Sequence, residues 1–163
     1  MPGVSPAMLG ELVDRHAAAL MLFARQFCRS PEDVVQEAFV QLARQSAAPD
    51  ETAAWLFRVV RNGALSAARA EYRRSKHEAA AAATRTSVWF VPTEADRLDA
   101  LSAAEALAEL PLDEREAVIA HLWGGLTFRQ IGELAGISAA TAFRRYEAAL
   151  CTLRSRLEKT SNV

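Results

Sequence analysis

The 163-residue chain carries a net charge of −1, a hydrophobic fraction of 51% and only two cysteines. This hydrophobic fraction is sufficient for helical cores and argues against a disordered chain, and the length allows one domain or two small ones. The spacing of Cys28 and Cys151 is not that of metal ligands, and two cysteines are not typical of a disulfide framework. No apolar run is long enough for a membrane span, and none has the pattern of a signal peptide. We therefore expect a cytoplasmic protein without a metal or cofactor.

The charges are distributed unevenly along the chain. The segment from Arg58 to His77 contains six lysines and arginines and one acidic residue, whereas the segment from Glu94 to Glu116 contains eight acidic residues and two arginines. Such asymmetry predicts one face for a polyanion and other faces for different contacts, although the acidic block is also compatible with solvated helix surfaces.

Two helices are predicted at the start of the chain. Ser5-Pro6 and Ser30-Pro31 are typical helix starts, with a serine cap followed by proline. His16 lies near the apolar stripe of the first helix, where a half-buried residue is more plausible than a metal ligand. The outward face of the second helix is either solubilising surface or a docking face for a basic helical partner; it comprises Asp33, Gln36, Glu37, Val40, Gln41 and Arg44.

A long helix from about Thr52 to about Glu78 is predicted after the loop Ser46–Glu51. Its first half is apolar, with Trp55 and Leu56 expected in the core, and its second half is rich in alanine and basic residues. Gly63 weakens the helix relative to alanine and indicates close packing. Arginines interleaved with aromatic residues suit unpaired nucleic acid, since bases stack on rings and cations follow phosphates. The candidate contact residues are Arg58, Arg61, Asn62, Arg69, Arg73 and Arg74.

Residues 79–92 are predicted to be a linker, because a Thr/Ser cluster and Pro92 interrupt the helical pattern. Trp89 and Phe90 are large apolar residues for a connection, and we expect them to dock on a domain of this chain or on a partner. The pattern leaves open which of the two they contact.

The C-terminal part is predicted to contain about four helices. One runs from Thr93 to Pro111, and a second begins with a capping box at Asp113 and Glu116 and ends at Gly124-Gly125. A third begins with a Thr127/Gln130 capping box and stops at Gly136, where a left-handed conformation suits glycine. Ser138 then caps the fourth.

The last two helices are predicted to form a helix-turn-helix. The fourth helix has an apolar stripe that includes Ala142, Tyr146 and Leu157. Its opposite face carries Ala140, Thr141, Arg144 and Ala148, with Arg145 beside it. Such a helix fits the major groove, where arginine can pair with guanine through two hydrogen bonds. The alternative is an ordinary helical hairpin with solvated arginines. With no alternating β pattern anywhere, we predict an all-α fold of two small helical domains joined by a linker.

Three segments together resemble one protein family. SPEDVVQEAFVQLAR looks like a helix that binds RNA polymerase, AAWLFRVVRNGALSAARAEYRR is similar to a segment that opens and reads a −10 promoter element, and LPLDEREAVIAHLWGGLTFRQIGELAGISAATAFRRYEAAL resembles a module that reads a −35 element. In this order, with a linker between, they resemble a bacterial RNA polymerase sigma factor of the sigma-70 family, extracytoplasmic-function (ECF) type.

The resemblance implies a domain plan and a set of partners. Residues 1–78 correspond to sigma region 2, 79–92 to the linker and 93–163 to sigma region 4 with its helix-turn-helix. The implied partners are the polymerase core, through the clamp helices of its beta-prime subunit, and promoter DNA, with an anti-sigma factor as a further candidate. The implied function is to direct the core to specific promoters and to assist −10 melting, without enzymatic activity.

The resemblance also assigns contacts to individual residues. The resemblance implies polymerase contacts at Asp33, Gln36 and Glu37, −10 contacts in the Ser46–Glu51 loop and at Arg61 and Asn62, and −35 contacts at Thr141, Phe143, Arg144 and Arg145. The residue patterns add Gln41 to the first set, Arg58, Arg69, Arg73 and Arg74 to the second, and Ser138 and Ala140 to the third.

Two other classes of protein were weighed. A stand-alone helix-turn-helix regulator, with the first half as a dimerisation or sensing module, would bind a palindromic operator tightly without polymerase. An enzyme is disfavoured, because the chain lacks paired carboxylates, a Cys/His pair or a Gly-rich phosphate loop, and its three histidines are scattered.

Overall fold

The computed structural model describes residues 3–77 and 105–161. The chain divides into two units, Met1–Val91 and Pro92–Val163, and every regular element in the described ranges is helical, which confirms the predicted all-α class. Trp89, Phe90, the predicted linker at 79–92 and most of the predicted helix from Thr93 lie outside the described residues. The predicted domain bounds therefore stay a prediction.

The first unit contains three helices, α1 (Pro6–Arg25), α2 (Pro31–Ala43) and α3 (Thr52–His77). The predicted cap of α1 is confirmed, since the Ser5 hydroxyl accepts the Met8 N–H at 3.2 Å. Ser30 occupies the predicted N-cap position of α2 and Pro31 follows it as predicted, but the Ser30 side chain makes no cap bond. The first turn of α2 is held instead by Pro31, whose ring fixes a helical φ, and by the Val34 N–H, which donates to the Ser30 carbonyl at 3.3 Å.

Phe23 of α1 lies at the centre of the first core. Its ring centroid is 4.9 Å from that of Phe57 and 5.2 Å from that of Phe27. Leu56 is fully buried, as predicted, but Trp55 is only half-buried. Successive helical residues point about 100° apart, so Leu56 and Phe57 occupy the inward face of α3 and leave Trp55 at its edge.

Two contacts hold α3 against its neighbours. A Cβ at Gly63 would lie 3.1 Å from Val34 Cγ1, which confirms the predicted close packing at this glycine. Nearer the end of α3, Glu71 Oε1 accepts the Arg29 N–H at 3.2 Å and ties this helix to the connection between α1 and α2. Neither the core nor these two contacts involves the outer sides of α2 and α3, which can therefore serve other functions.

The second unit continues from a helical turn at 105–108. Its helices are α4 (Leu112–Val118), extended by a π-helical turn (Ile119–Trp123), then α5 (Phe128–Ala135) and α6 (Ala139–Ser161). Both α4 and α5 pack on α6. The predicted apolar stripe of α6 does not reach Leu157, which is 67% exposed. The buried side chains of this core include Leu107, Leu110, Val118, Ile119, Leu126, Ile131, Ala142 and Ala149.

The predicted capping box at Asp113 is wrong. Helix α4 begins earlier, at Leu112, with Pro111 in the N-cap position and no side-chain cap bond. The Asp113 carboxylate accepts the N–H of the adjacent Glu114 instead, at 3.0 Å, and Glu116 is buried. Pro111 has a φ of −54° and its carbonyl accepts the Arg115 N–H, so the first turn forms before Asp113 can act as a cap.

Gly132 is required where α5 passes the turn into α6. A Cβ at this position would lie 2.7 Å from the Ile137 carbonyl oxygen and 3.2 Å from the Ala139 nitrogen. Backbone atoms cannot yield as a flexible side chain can. Gly132→Ala is therefore expected to lower the free energy of unfolding by about 1–3 kcal/mol, although alanine favours helices.

Gly10→Ala in α1 is the matched control, because no atom lies within 4 Å of a Cβ built there. This variant is expected to raise stability by up to about 1 kcal/mol. Denaturant unfolding followed by circular dichroism measures both. A Gly132→Ala protein as stable as the parent would contradict the close approach.

Candidate nucleic-acid interface

The turn between α5 and α6 forms as the sequence predicts. The Thr127/Gln130 capping box is complete, with Gln130 N–H donating to Thr127 Oγ1 at 3.2 Å and Thr127 N–H donating to Gln130 Oε1 at 2.9 Å. Gly136 has a φ of +71°. The Ile137 N–H then donates to the Gly132 carbonyl at 2.9 Å, which closes the turn.

The N-terminal half of α6 presents three of the predicted contact residues together. Ser138 caps the helix by accepting the Thr141 N–H at 3.0 Å, and its hydroxyl donates to Thr141 Oγ1 at 2.9 Å. Arg144 Nη2 donates to the same Thr141 oxygen at 3.1 Å. Ser138, Ala140 and Arg144 are exposed, while Ala142 is buried on the opposite side. The face toward solvent is thus small, polar and cationic.

Arg145 is placed differently from its neighbour. Its Nε lies 3.3 Å from Asp113 Oδ2, and its side chain is 29% exposed. This ion pair joins α6 to the start of α4. Both arginines were predicted to contact DNA, with Arg145 beside the face that carries Arg144. Residues one apart on a helix point about 100° apart, so only one of the two can face straight outward.

An aromatic cluster supports the first half of α6 from beneath. Leu126 N–H donates to the Ala120 carbonyl at 3.0 Å across the wide π-helical turn, and His121 Nδ1 donates to the Leu126 carbonyl at 2.8 Å. The His121 ring stacks on Phe128, with centroids 4.4 Å apart, and meets Tyr146 edge-on at 4.7 Å.

Phe143 belongs to the same cluster, and His121 is the member of it whose role was not predicted. Phe143, expected to contact DNA, is 42% exposed, and its ring packs edge-on against Phe128 at 5.2 Å. His121 was counted only as one of three scattered histidines. No sequence signal could assign it, because a π-helical turn shifts the phase of every residue that follows.

The basic residues of α3 form a stripe, which we call the basic stripe: Arg58, Asn62, Arg69, Arg73 and Lys76. All five are exposed and lie within about 60° of one another around the helix axis. Lys76 was not predicted as a contact residue, although its spacing of seven from Arg69 places it on the same side. Two other predicted contact residues lie outside the basic stripe. Arg74 is exposed but points about 100° away from Arg73 around the helix axis. Arg61 is half-buried, and its guanidinium lies 5.9 Å from the centroid of the Phe27 ring.

An exposed aromatic ring accompanies the end of the basic stripe. Tyr72 is 63% exposed, and the Lys76 ammonium lies 5.2 Å from its ring centroid. A ring held beside a cation at the surface is the kind of platform on which an unpaired base can stack. Tyr72 was not predicted as a contact residue.

The outer side of α2 is polar and carries the acidic residues that were predicted to contact the polymerase. Asp33, Gln36 and Glu37 are exposed, and half-exposed Gln41 donates its Nε2–H to Glu37 Oε1 at 3.3 Å. Val35 and Leu42, on the inner side, are fully buried. We call these four outward residues the acidic face.

The titratable groups of the described ranges are dispersed rather than clustered. Among residues 3–77 and 105–161 no three His, Cys, Asp or Glu side chains converge on a metal-sized site. His16 is half-buried, and burial together with neighbouring Arg15 lowers its pKa. Burial raises the pKa of the Cys28 thiol. In the same ranges no helix has the length and apolarity needed to cross a membrane.

Comparisons with known proteins cover both units. The family model of Sigma-70 region 2 matches residues 12–74, and that of Sigma-70 region 4 matches residues 100–153. The chain is 30% identical over 164 aligned positions to the ECF RNA polymerase sigma factor SigL of Mycobacterium tuberculosis, an alignment that covers 94% of this chain and 90% of the relative.

Two solved structures are also similar. The sigma factor RpoE in complex with the anti-sigma factor NepR, from Bartonella quintana, has a TM-score of 0.67 at 25% identity and covers 94% of this chain and 98% of that one. CnrH in complex with the cytosolic domain of CnrY has a TM-score of 0.61 at 25% identity and covers 95% and 90%. With both family regions matched in order and a relative matched over nearly its whole length, the chain belongs to the sigma-70 family and is an ECF-type RNA polymerase sigma factor that acts in transcription initiation.

Proposed function

We propose that the acidic face, the basic stripe and the first half of α6 divide the work of this sigma factor among polymerase, −10 element and −35 element. The observation that carries the proposal is their separation: the acidic residues lie on α2, the basic stripe on α3 and the exposed Arg144 on α6. Each surface points away from the core of its own unit. One acidic and two basic surfaces on three different helices suit one basic partner and two DNA elements.

The acidic face is proposed to bind the polymerase core. Asp33 and Glu37 project from α2 beside Gln36 and Gln41, and none of the four contributes to the core around Phe23. Carboxylates on an exposed helix face complement a basic helical partner, here the clamp helices of the beta-prime subunit. Such complementarity chiefly raises the association rate and selects the partner.

The basic stripe is proposed to bind the −10 strand once it is unpaired. Arg58, Arg69, Arg73 and Lys76 can follow successive phosphates, while Asn62 and the Tyr72 ring can meet bases. A net charge of −1 means that affinity for free DNA is low and salt-sensitive. The polymerase therefore supplies most of the affinity, and the stripe supplies local selectivity.

The first half of α6 is proposed to lie in the major groove of the −35 duplex, with Arg144 reading a guanine. Arg145 is proposed to contact the backbone from the side while Asp113 holds its Nε. Thr141 and Ser138 lie between the guanidinium and the helix start.

The remaining assignments follow from this role. The protein is proposed to have no enzymatic activity of its own and to work in the cytoplasm, where promoter DNA and polymerase are found. Because RpoE and CnrH were each solved in complex with another protein, in the first case an anti-sigma factor, we also propose that an anti-sigma factor restrains this chain.

Glu37→Lys is expected to weaken binding to the core polymerase by at least about tenfold, because it places a cation against a basic partner. Fluorescence titration of labelled protein with core enzyme, without DNA, measures the affinity. Glu11→Lys is the matched control, since Glu11 is exposed on α1 and the charge change is identical. Equal affinities for the two variants would remove the acidic face from the polymerase contact.

Arg69→Ala is expected to weaken binding of the holoenzyme to a single-stranded −10 oligonucleotide. One lost phosphate contact should reduce the slope of log affinity against log salt by about 0.7. Arg25→Ala, which removes an equally exposed charge from α1, should keep the parental slope. The stripe would be refuted by identical slopes for these two variants.

Arg144→Ala is expected to reduce promoter binding by the holoenzyme by about 1–3 kcal/mol, the usual worth of a bidentate arginine–guanine contact. Titration of a labelled promoter duplex with the holoenzyme, and with the free chain without core polymerase, measures the affinity. Run-off transcription by the holoenzyme from a genomic promoter pool measures initiation. Arg154→Ala, exposed ten positions further along α6, should initiate as the parent does. Tight binding of a palindromic site by the free chain would instead favour a stand-alone regulator.

A further inference from the structure

Three polar side chains at the start of α6 are linked in a row. Ser138, Thr141 and Arg144 are three positions apart, so each side chain is a surface neighbour of the next. The Ser138 and Thr141 oxygens are 2.9 Å apart, and Arg144 Nη2 is 3.1 Å from the Thr141 oxygen. A general role as exposed contact residues does not require this linkage.

The directions of the hydrogen bonds follow from the groups involved. The Ser138 oxygen accepts the Thr141 N–H at 3.0 Å, and its own hydrogen is directed to Thr141 Oγ1. Arg144 can only donate, so Thr141 Oγ1 accepts a second time. Thr141 Oγ1 therefore links the Ser138 hydroxyl to the Arg144 guanidinium.

The linkage affects Arg144 most. An exposed arginine otherwise samples many rotamers, which must be given up when it binds. The guanidinium is planar and has five N–H donors, so fixing one Nη2–H on Thr141 orients the whole plane and leaves the other donors for a ligand. The contrast with Arg145, held by Asp113 through Nε, shows that adjacent arginines are oriented by different partners.

We propose that Ser138 and Thr141 are positioning residues that orient the Arg144 guanidinium before DNA arrives, and so set the preference for guanine at one position of the −35 element. The proposal rests on the −35 function proposed above for α6. Ser138 fixes Thr141, Thr141 fixes Arg144, and Arg144 donates to N7 and O6 of the guanine.

The experiment uses holoenzyme and a −35 duplex selected by the parental protein from a random pool. Thr141→Val keeps the β-branched shape but lacks the hydroxyl, and Thr141→Ser keeps the hydroxyl. Both are compared in the presence of Arg144 and in an Arg144→Ala background. Each guanine of the duplex is also replaced in turn by 7-deazaguanine, which lacks the N7 acceptor. Thr141→Ala serves as a second hydroxyl-free variant if Thr141→Val fails to fold by circular dichroism.

Thr141→Val is expected to weaken binding about 3- to 10-fold with Arg144 present, as expected for one long side chain that is no longer pre-ordered. In the Arg144→Ala background the same substitution should have almost no effect, and Thr141→Ser should restore parental binding. The 7-deazaguanine penalty should fall at one guanine only. This non-additive pattern is the signature of a residue that acts through another.

The other outcomes separate the two proposals. If Arg144→Ala weakens binding but Thr141→Val does not, the positioning role is overturned while the −35 function stands. If Thr141→Val causes the same loss in both backgrounds, Thr141 contacts DNA itself and the positioning role is again overturned. If Arg144→Ala has no effect, the function proposed for Arg144 fails, and the positioning role fails with it.

Discussion

The absence of a side chain at Gly132 is the constraint on which the C-terminal unit depends. A Cβ at this position would lie only 2.7 Å from the Ile137 carbonyl oxygen. Because glycine has no Cβ, the Ile137 carbonyl can approach α5, and α6 can start close against it. Gly136 then supplies the left-handed residue, and Ser138 caps the new helix. The direction of α6, and with it the direction of Arg144, therefore follows from a short run of backbone conformations rather than from a large core.

The N-terminal unit obtains its surfaces by a different route. Phe23 and Phe57 pack at its centre, and each helix turns its apolar side toward them. The polar side of α2 becomes acidic and that of α3 becomes basic, so opposite charges are presented on separate helices while the whole chain stays near neutrality. A protein that meets both a basic partner and a polyanion needs such a separation, because a mixed surface would attract neither strongly.

Arg144 and Arg145 show how neighbouring, chemically identical residues acquire different roles. The first is exposed and linked to Thr141, and the second pairs with Asp113 of α4. The ion pair joins two helices of the unit, whereas the link to Thr141 orders a side chain that faces solvent. The aromatic cluster of His121, Phe128 and Tyr146 beneath α6 supports both arginines by fixing the helix that carries them.

Local chemistry and periodicity predict the helices, the capping box at Thr127, the left-handed Gly136 and the outward positions of Asp33 and Glu37, and the motifs in order predict the family. The remaining features depend on contacts between helices. Pro111, rather than Asp113, occupies the N-cap position of α4. The π-helical turn places His121 beneath α6, and Asp113 forms an ion pair with Arg145. The spacing of Lys76 from Arg69 was enough to predict that it lies on the basic stripe. The roles of Gly132 and Asp113 could not be predicted from the sequence, because each residue contacts an atom of another helix or turn. No local pattern specifies where that atom lies.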